Sequence, residues 1–116
     1  INLSVLKDMH LLLQDKLNHK ISLITLSEKG VFYAQHPADQ QDNIAGIIPT
    51  HIRSIADVSG AGDTVIAVAS VVFAATGDAK LMAEVANIAG GLVCEVVGTV
   101  AVEKSRLMDE CKKLLT

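Results

Sequence analysis

Between Val65 and Ala75 only Ser70 interrupts a run of apolar residues, and Gly60-Ala61-Gly62 stands just before it. A helix over 63–76 with this composition is apolar nearly all round. It therefore belongs in the centre of a fold, covered on several sides. The run is too short to cross a bilayer as a helix. Gly77-Asp78 ends it, with glycine where a helix commonly turns left-handed.

The rest of the chain supplies partners for such a helix. Leu3, Leu6, Met9, Leu13 and Leu17 recur at steps of three and four, which predicts an amphipathic helix over 3–18. Ile21 to Leu26 is apolar on both parities and predicts a strand buried on both faces, of the kind found in mostly parallel sheets. A turn at Ser27-Glu28-Lys29-Gly30 and a strand at 31–35 complete a hairpin. Residues 36–43 read as a loop, and 44–49 and 51–55 as short strands. A second, Ala- and Gly-rich helix is expected over 79–95, an extended connector over 96–102 and an amphipathic helix over 103–115. Strands and helices in this order predict an α/β layered fold, a mostly parallel sheet flanked by helices.

Aromatic residues make up 3% of the 116 residues, so the core has to be built from Ala, Val, Ile and Leu. A net charge of −3, with no run of more than two basic residues, argues against a nucleic-acid or membrane partner. Cys94 and Cys111 lie in no metal-binding spacing and read as reduced, helix-face residues. His10, His19, His36 and His51 also lack ligand spacing and are expected to be solvated or in loops. Asp39, Asp42 and Arg53 read as surface residues. The first residue is Ile1 rather than Met, so the chain is expected to begin inside a longer reading frame.

The octet Asp57-Val58-Ser59-Gly60-Ala61-Gly62-Asp63-Thr64 carries most of the chemistry. Gly-x-Gly before a helix is often only a tight turn. It is also a way to leave the N–H groups of Gly60, Ala61 and Gly62 open as an anion hole at a helix N-terminus. Asp63 then calls for a reason, because an acid beside an anion costs electrostatic energy. A general base awaiting a hydroxyl proton is one such reason. The dinucleotide fingerprint fails, since Val65 holds the place of its third glycine. The P-loop fails as well, since the chain contains no Gly-Lys pair.

The octet resembles the C-terminal signature of the ribokinase-like (PfkB) carbohydrate kinases. Ile24-Thr25-Leu26-Ser27-Glu28-Lys29-Gly30 is similar to that family's strand and turn at the nucleotide. Ala86-Asn87-Ile88-Ala89 is similar to its adenine-side helix, and Val97-Gly98-Thr99 to the following loop. Ser27 stands where most of the family has glycine. The Ser-Glu-x-Gly turn and Thr64-Val65-Ile66 resemble the branch that phosphorylates D-glycero-D-manno-heptose 7-phosphate in ADP-heptose and lipopolysaccharide precursor synthesis.

The resemblance implies a ribokinase-like fold, with residues 1–116 as the C-terminal, nucleotide-binding portion of a kinase domain. It implies a cytoplasmic, homo-oligomeric phosphotransferase that uses ATP and Mg2+ on a sugar phosphate. Asp63 is implied as catalytic base, and Thr25, Ser27, Gly30 and Asn87 as nucleotide contacts. Asp57 and Ser59 are implied around a monovalent cation. Two other readings stay open: another sugar or nucleoside kinase of the same fold, and a non-catalytic nucleotide-binding piece lacking the sugar lobe.

Overall fold

The structure, a computed structural model, describes residues 2–36, 44–50, 55, 58, 60–95, 97–98 and 100–115. At its centre is the strand Val31–Gln35 (β2), which pairs on one side with Ile21–Thr25 (β1) and on the other with Ile44–Ile48 (β3). Successive side chains of a strand point to opposite faces. Val31 and Tyr33 therefore face one helical layer, and Phe32 and Ala34 the other. All four are buried. The helix Leu3–Leu17 (α1) covers the second face, where Leu6 packs with Phe32 and Ala34. The first face carries the helices Ala61–Thr76 (α2) and Ala79–Cys94 (α3), whose Val65, Ala69, Met82 and Ala86 join Val31 and Tyr33 in the main core. A last helix, Lys104–Leu115 (α4), packs against α3, with Arg106 on α4 ion-paired to Glu95 at the C-terminal end of α3.

Two expectations are corrected. Every strand pairing among the described residues is antiparallel, Ile21 opposite Gln35 and Val31 opposite Ile48, where a mostly parallel sheet was expected. The doubly apolar pattern of β1 was the misleading signal. Burial on both faces needs two covering layers, and an antiparallel meander between α1 and α2–α3 supplies them as well as a parallel sheet does. The second correction concerns α2. It begins at Ala61, and it is not covered all round: Ile66 and Val71 are 66% and 70% exposed. The candidate strand at 51–55 lies outside the described residues, apart from Ile55.

Helix ends follow local chemistry. Asn2 caps α1, its Oδ1 accepting from the Val5 amide at 3.0 Å, and Asp78 caps α3 through the Leu81 amide at 3.1 Å. Gly77 ends α2 in the left-handed conformation and donates to the Phe73 carbonyl at 2.8 Å, as its position in the sequence predicts.

Two backbone features hold the layers together. Gly30 has φ +100°, and a Cβ there would stand 1.9 Å from the Ile48 carbonyl oxygen, so only glycine lets the β1–β2 turn lie against the end of β3. In the helical layer, a Cβ on Gly90 of α3 would meet Val65 Cγ2 of α2 at 2.8 Å. Val65 has no flexible end with which to move aside.

Gly90→Ala is expected to cost about 1–3 kcal/mol in urea denaturation through overpacking. Val65→Ala in the same chain should recover part of that loss, and an additive double variant would contradict the close approach. Ser27 also carries a positive φ, +56°. Ser27→Val should lose about 1–2 kcal/mol for holding a β-branched residue left-handed, whereas Ser27→Gly should fold with near-native stability. A valine variant as stable as the parent would be evidence against that backbone conformation.

Candidate active site

The loop between β1 and β2 positions the first group of residues. Leu26 N–H donates to the Gly30 carbonyl at 2.8 Å, closing the hairpin above the Thr25–Val31 pair. Ser27–Lys29 form one turn of 3-10 helix inside that loop. The Ser27 carbonyl accepts from the Gly30 amide at 3.2 Å and from Thr50 Oγ1 at 3.3 Å, which ties the turn to the segment leaving β3. The left-handed backbone at Ser27 is a conformation that glycine adopts without steric cost. Glu28 beside it is held well on the ionised side. Its own backbone amide and the Ser27 hydroxyl bond the carboxylate, and Lys29 adds to the effect.

The N-terminal end of α2 supplies the second group. Gly60 at the N-cap is left-handed, φ +77°, and has no side chain to cap the helix, unlike Asn2 and Asp78 on α1 and α3. Thr64 N–H makes the first helical bond, to the Gly60 carbonyl at 3.1 Å. The Ala61 amide is already used, donating to the Val58 carbonyl at 3.2 Å. Ala61 therefore drops out of the expected three-amide cradle. The amides of Gly60, Gly62 and Asp63 have no protein acceptor among the described residues, as first-turn donors usually lack one. Among the described residues, a Cβ on Gly62 would meet nothing within 4 Å, so there is room on the side-chain side of that residue.

Asn87 on α3 completes the group. Its Nδ2 donates to the Pro49 carbonyl at 2.9 Å, bracing α3 against the end of β3. The side chain thus has the backbone-bonding role that is the ordinary fate of a helix asparagine, while its residue also borders the cavity.

Two cavities meet these residues. The larger, about 580 Å³, is bordered by Thr25, Ser27 and Gly30 of the hairpin, Ala61 and Gly62 of α2, and Asn87 of α3. The smaller, about 430 Å³, is bordered by Gly60, Asp63 and Thr64 on α2 and by Val100 to Val102 of the connector. The fold thus gathers the six residues of the first set into one space, and Gly60 and Asp63 into another. The first turn of α2 borders both. Asp63 is solvent-exposed. Asp57 and Ser59 lie outside the described residues, as do His51, Arg53, Asp39 and Asp42.

Several cavity residues escaped sequence reasoning. Thr50, Gly91 and Cys94 also border the larger space. Only the Gly90-Gly91 pair carried a signal, since two adjacent glycines inside a helix are disfavoured unless something approaches closely. Both cysteines are half-buried and form no disulfide, and burial raises the Cys111 thiol above its ordinary range. Among the described residues, no group of three or more His, Cys, Asp or Glu side chains is placed to hold a metal ion. Among the same residues, no helix is long and apolar enough to cross a membrane.

Comparison with known proteins bears on the family and the fold. The family described as "pfkB family carbohydrate kinase" matches residues 5–106. The chain is 37% identical over 102 residues to the bifunctional protein HldE of Sulfurimonas denitrificans, covering 88% of this chain and 20% of that protein. It is 39% identical over 88 residues to HldE of Helicobacter hepaticus, covering 76% of this chain and 17% of that one. The chain therefore spans a fifth or less of these relatives' length. Among solved structures, Thermotoga maritima ribokinase superposes with a TM-score of 0.68 at 16% identity, over 84% of this chain and 31% of that one. An Escherichia coli putative ribokinase II in complex with ATP and Mg2+ gives 0.64 at 17% identity, over 81% and 29%. The architecture is ribokinase-like, and the chain belongs to the pfkB family of carbohydrate kinases.

Proposed function

We propose that this chain is the nucleotide-binding and catalytic-base portion of an ATP-dependent sugar kinase, which phosphorylates heptose 7-phosphate at its anomeric hydroxyl. One observation carries the reading: the uncapped first turn of α2 borders two cavities, with Gly62 on one and Asp63 on the other. In this reading the larger cavity receives the nucleotide. Thr25, Ser27 and Gly30 lie along it, with Asn87 toward the base end. The smaller cavity receives the reacting end of the sugar. The transferring phosphoryl group passes over the first turn of the helix between them.

Phosphoryl transfer depends mainly on positioning and charge stabilisation. The open amides of Gly60 and Gly62, and that of Asp63, would donate to oxygens that gain charge in the transition state. The Asp63 carboxylate would accept the proton of the attacking hydroxyl as its oxygen bonds to phosphorus. An ordinary carboxylate suffices, because the hydroxyl becomes strongly acidic only as that bond forms. Magnesium would arrive on the nucleotide phosphates, which commonly hold it together with waters and one or two carboxylates. A monovalent cation near Asp57 and Ser59, a cytoplasmic location and a homo-oligomer belong to the same proposal.

Heptose phosphate is preferred as substrate because the HldE relatives match at 37–39% identity. The ribokinase and fructokinase structures match at 16–17% and support the fold alone. A second reading is a non-catalytic nucleotide-binding piece, in which the larger cavity holds the nucleotide and no sugar is phosphorylated.

Asp63→Asn in the full-length protein is expected to lower kcat by about 10²–10⁴-fold while ATP binding by calorimetry stays near the parent value. Undiminished turnover on heptose 7-phosphate would reject Asp63 as the base. Turnover on a different sugar from a panel would move the substrate assignment and leave the kinase reading standing. Binding of ATP with no turnover on any sugar would favour the second reading.

A further inference from the structure

His10 on α1 was expected to be a solvated histidine, and it is 1% exposed. Its Nδ1 lies 2.7 Å from Ser22 Oγ on β1, and the Nε2 of His19 lies 2.6 Å from the same hydroxyl. The two rings meet edge to face, with centroids 5.5 Å apart. The outer nitrogens, His10 Nε2 and His19 Nδ1, are buried without a hydrogen-bond partner. The cluster lies where α1 meets the sheet, and Gln14 on α1 adds a bond from its Nε2 to the His19 carbonyl at 3.3 Å.

A hydroxyl has one proton to donate and can accept from others. When both rings are neutral, Ser22 Oγ can accept an N–H from each ring, or accept from one and donate its own proton to the other. A proton added to His10 is held as a buried charge. A second proton would place two imidazolium rings side by side around one oxygen.

Among the described residues the sheet offers this cluster no counter-charge. The strand β1 carries no ionisable side chain, and neither does β3. The only one on β2 is Tyr33, which faces the opposite layer. On α1, Lys7 stands one turn before His10, and the acids Asp8 and Asp15 are solvent-exposed. The charged neighbours acting on His10 are His19 and His36, and both oppose its protonation. Desolvation is the larger cause, and together they hold His10 below the ordinary histidine range.

We propose that His10, Ser22 and His19 form a proton-sensitive latch, which fastens α1 to the sheet while His10 is neutral and loosens when acid charges that ring. The face that α1 covers is the reverse side of β2, whose front bears Val31 at the larger cavity. Loosening α1 thus removes support from behind the site, through a group that lies outside it. The folded protein binds this proton less readily than the unfolded chain does. The latch therefore contributes its full stability above the unfolded histidine value, about 6.5, and loses it as pH falls below that value, levelling off beneath the folded value.

The test has two parts, both on the full-length protein. Ring-proton NMR should show His10 titrating below about 6.5, with amide exchange in α1 accelerating over the same range. In urea titrations the unfolding constant should rise by up to about tenfold per pH unit through that range. His10→Asn with His19→Gln keeps an amide near each Ser22-facing nitrogen without a titrating group, and this variant should flatten the slope. An unchanged slope in the variant, or a His10 that titrates at or above the ordinary value, overturns the latch. If the double variant fails to fold, the NMR titration of the parent protein decides alone.

Discussion

The close approach of α2 and α3 is the contact on which the rest of the structure depends. Gly90 lets Val65 sit where a Cβ would intrude, and this seats the first turn of α2 beside the β1–β2 hairpin. The core behind this contact is assembled largely from small aliphatic side chains, Val65, Ala69, Ala79, Ala83 and Ala86, with Met82 filling between them. Small residues bury little area each, so such a core depends on short interaxial distances and close packing more than on any single large side chain. Phe32 is the exception. It sits on the other side of the sheet and is fully buried with Leu6.

That seating gives the site its electrostatic character. The other two helices with described N-caps satisfy an end amide with an Asn or Asp oxygen, whereas α2 begins on a left-handed glycine that has nothing to offer. Helix ends that lack a side-chain cap keep partial positive charge available to anions. Here that end has room on the side-chain side of Gly62. Gly62 borders one cavity, while Asp63 borders the other together with Gly60, so the conflict that the sequence Gly-Asp poses is eased at Gly62 alone.

The histidines show where sequence reasoning was blind. His10, His19 and Ser22 share no motif spacing, and a histidine on an amphipathic helix gives no sign of which face it occupies when leucines surround it. The helix 3–17 carries more leucines than its buried face needs: Leu11, Leu12 and Leu17 are exposed while His10 is buried. Periodicity placed the helix correctly and its buried stripe incorrectly. What decided the stripe was the partner across the interface, Ser22, which offers a hydroxyl that an imidazole can satisfy and a leucine cannot. The strand direction failed for a related reason. Hydrophobicity reports how much of a strand is covered, whereas direction depends on which strand lies next to it.

By itself, the order of residues determined four helices, read at 3–18, 63–76, 79–95 and 103–115 and found within two residues of those bounds, the hairpin at Gly30, the glycine stop at Gly77 and the family to which the chain belongs. These follow from local periodicity, from backbone angles that only glycine tolerates easily, and from a short signature with few alternatives. Only the tertiary structure decided the antiparallel pairing, the use of the Ala61 amide inside its own turn, the placement of Asp63 apart from the hairpin cavity and the meeting of two histidines, one of them buried, around one serine. Each of these depends on groups brought together from distant parts of the chain or on a hydrogen bond that competes with an open site, and neither is written in the spacing of residues along it.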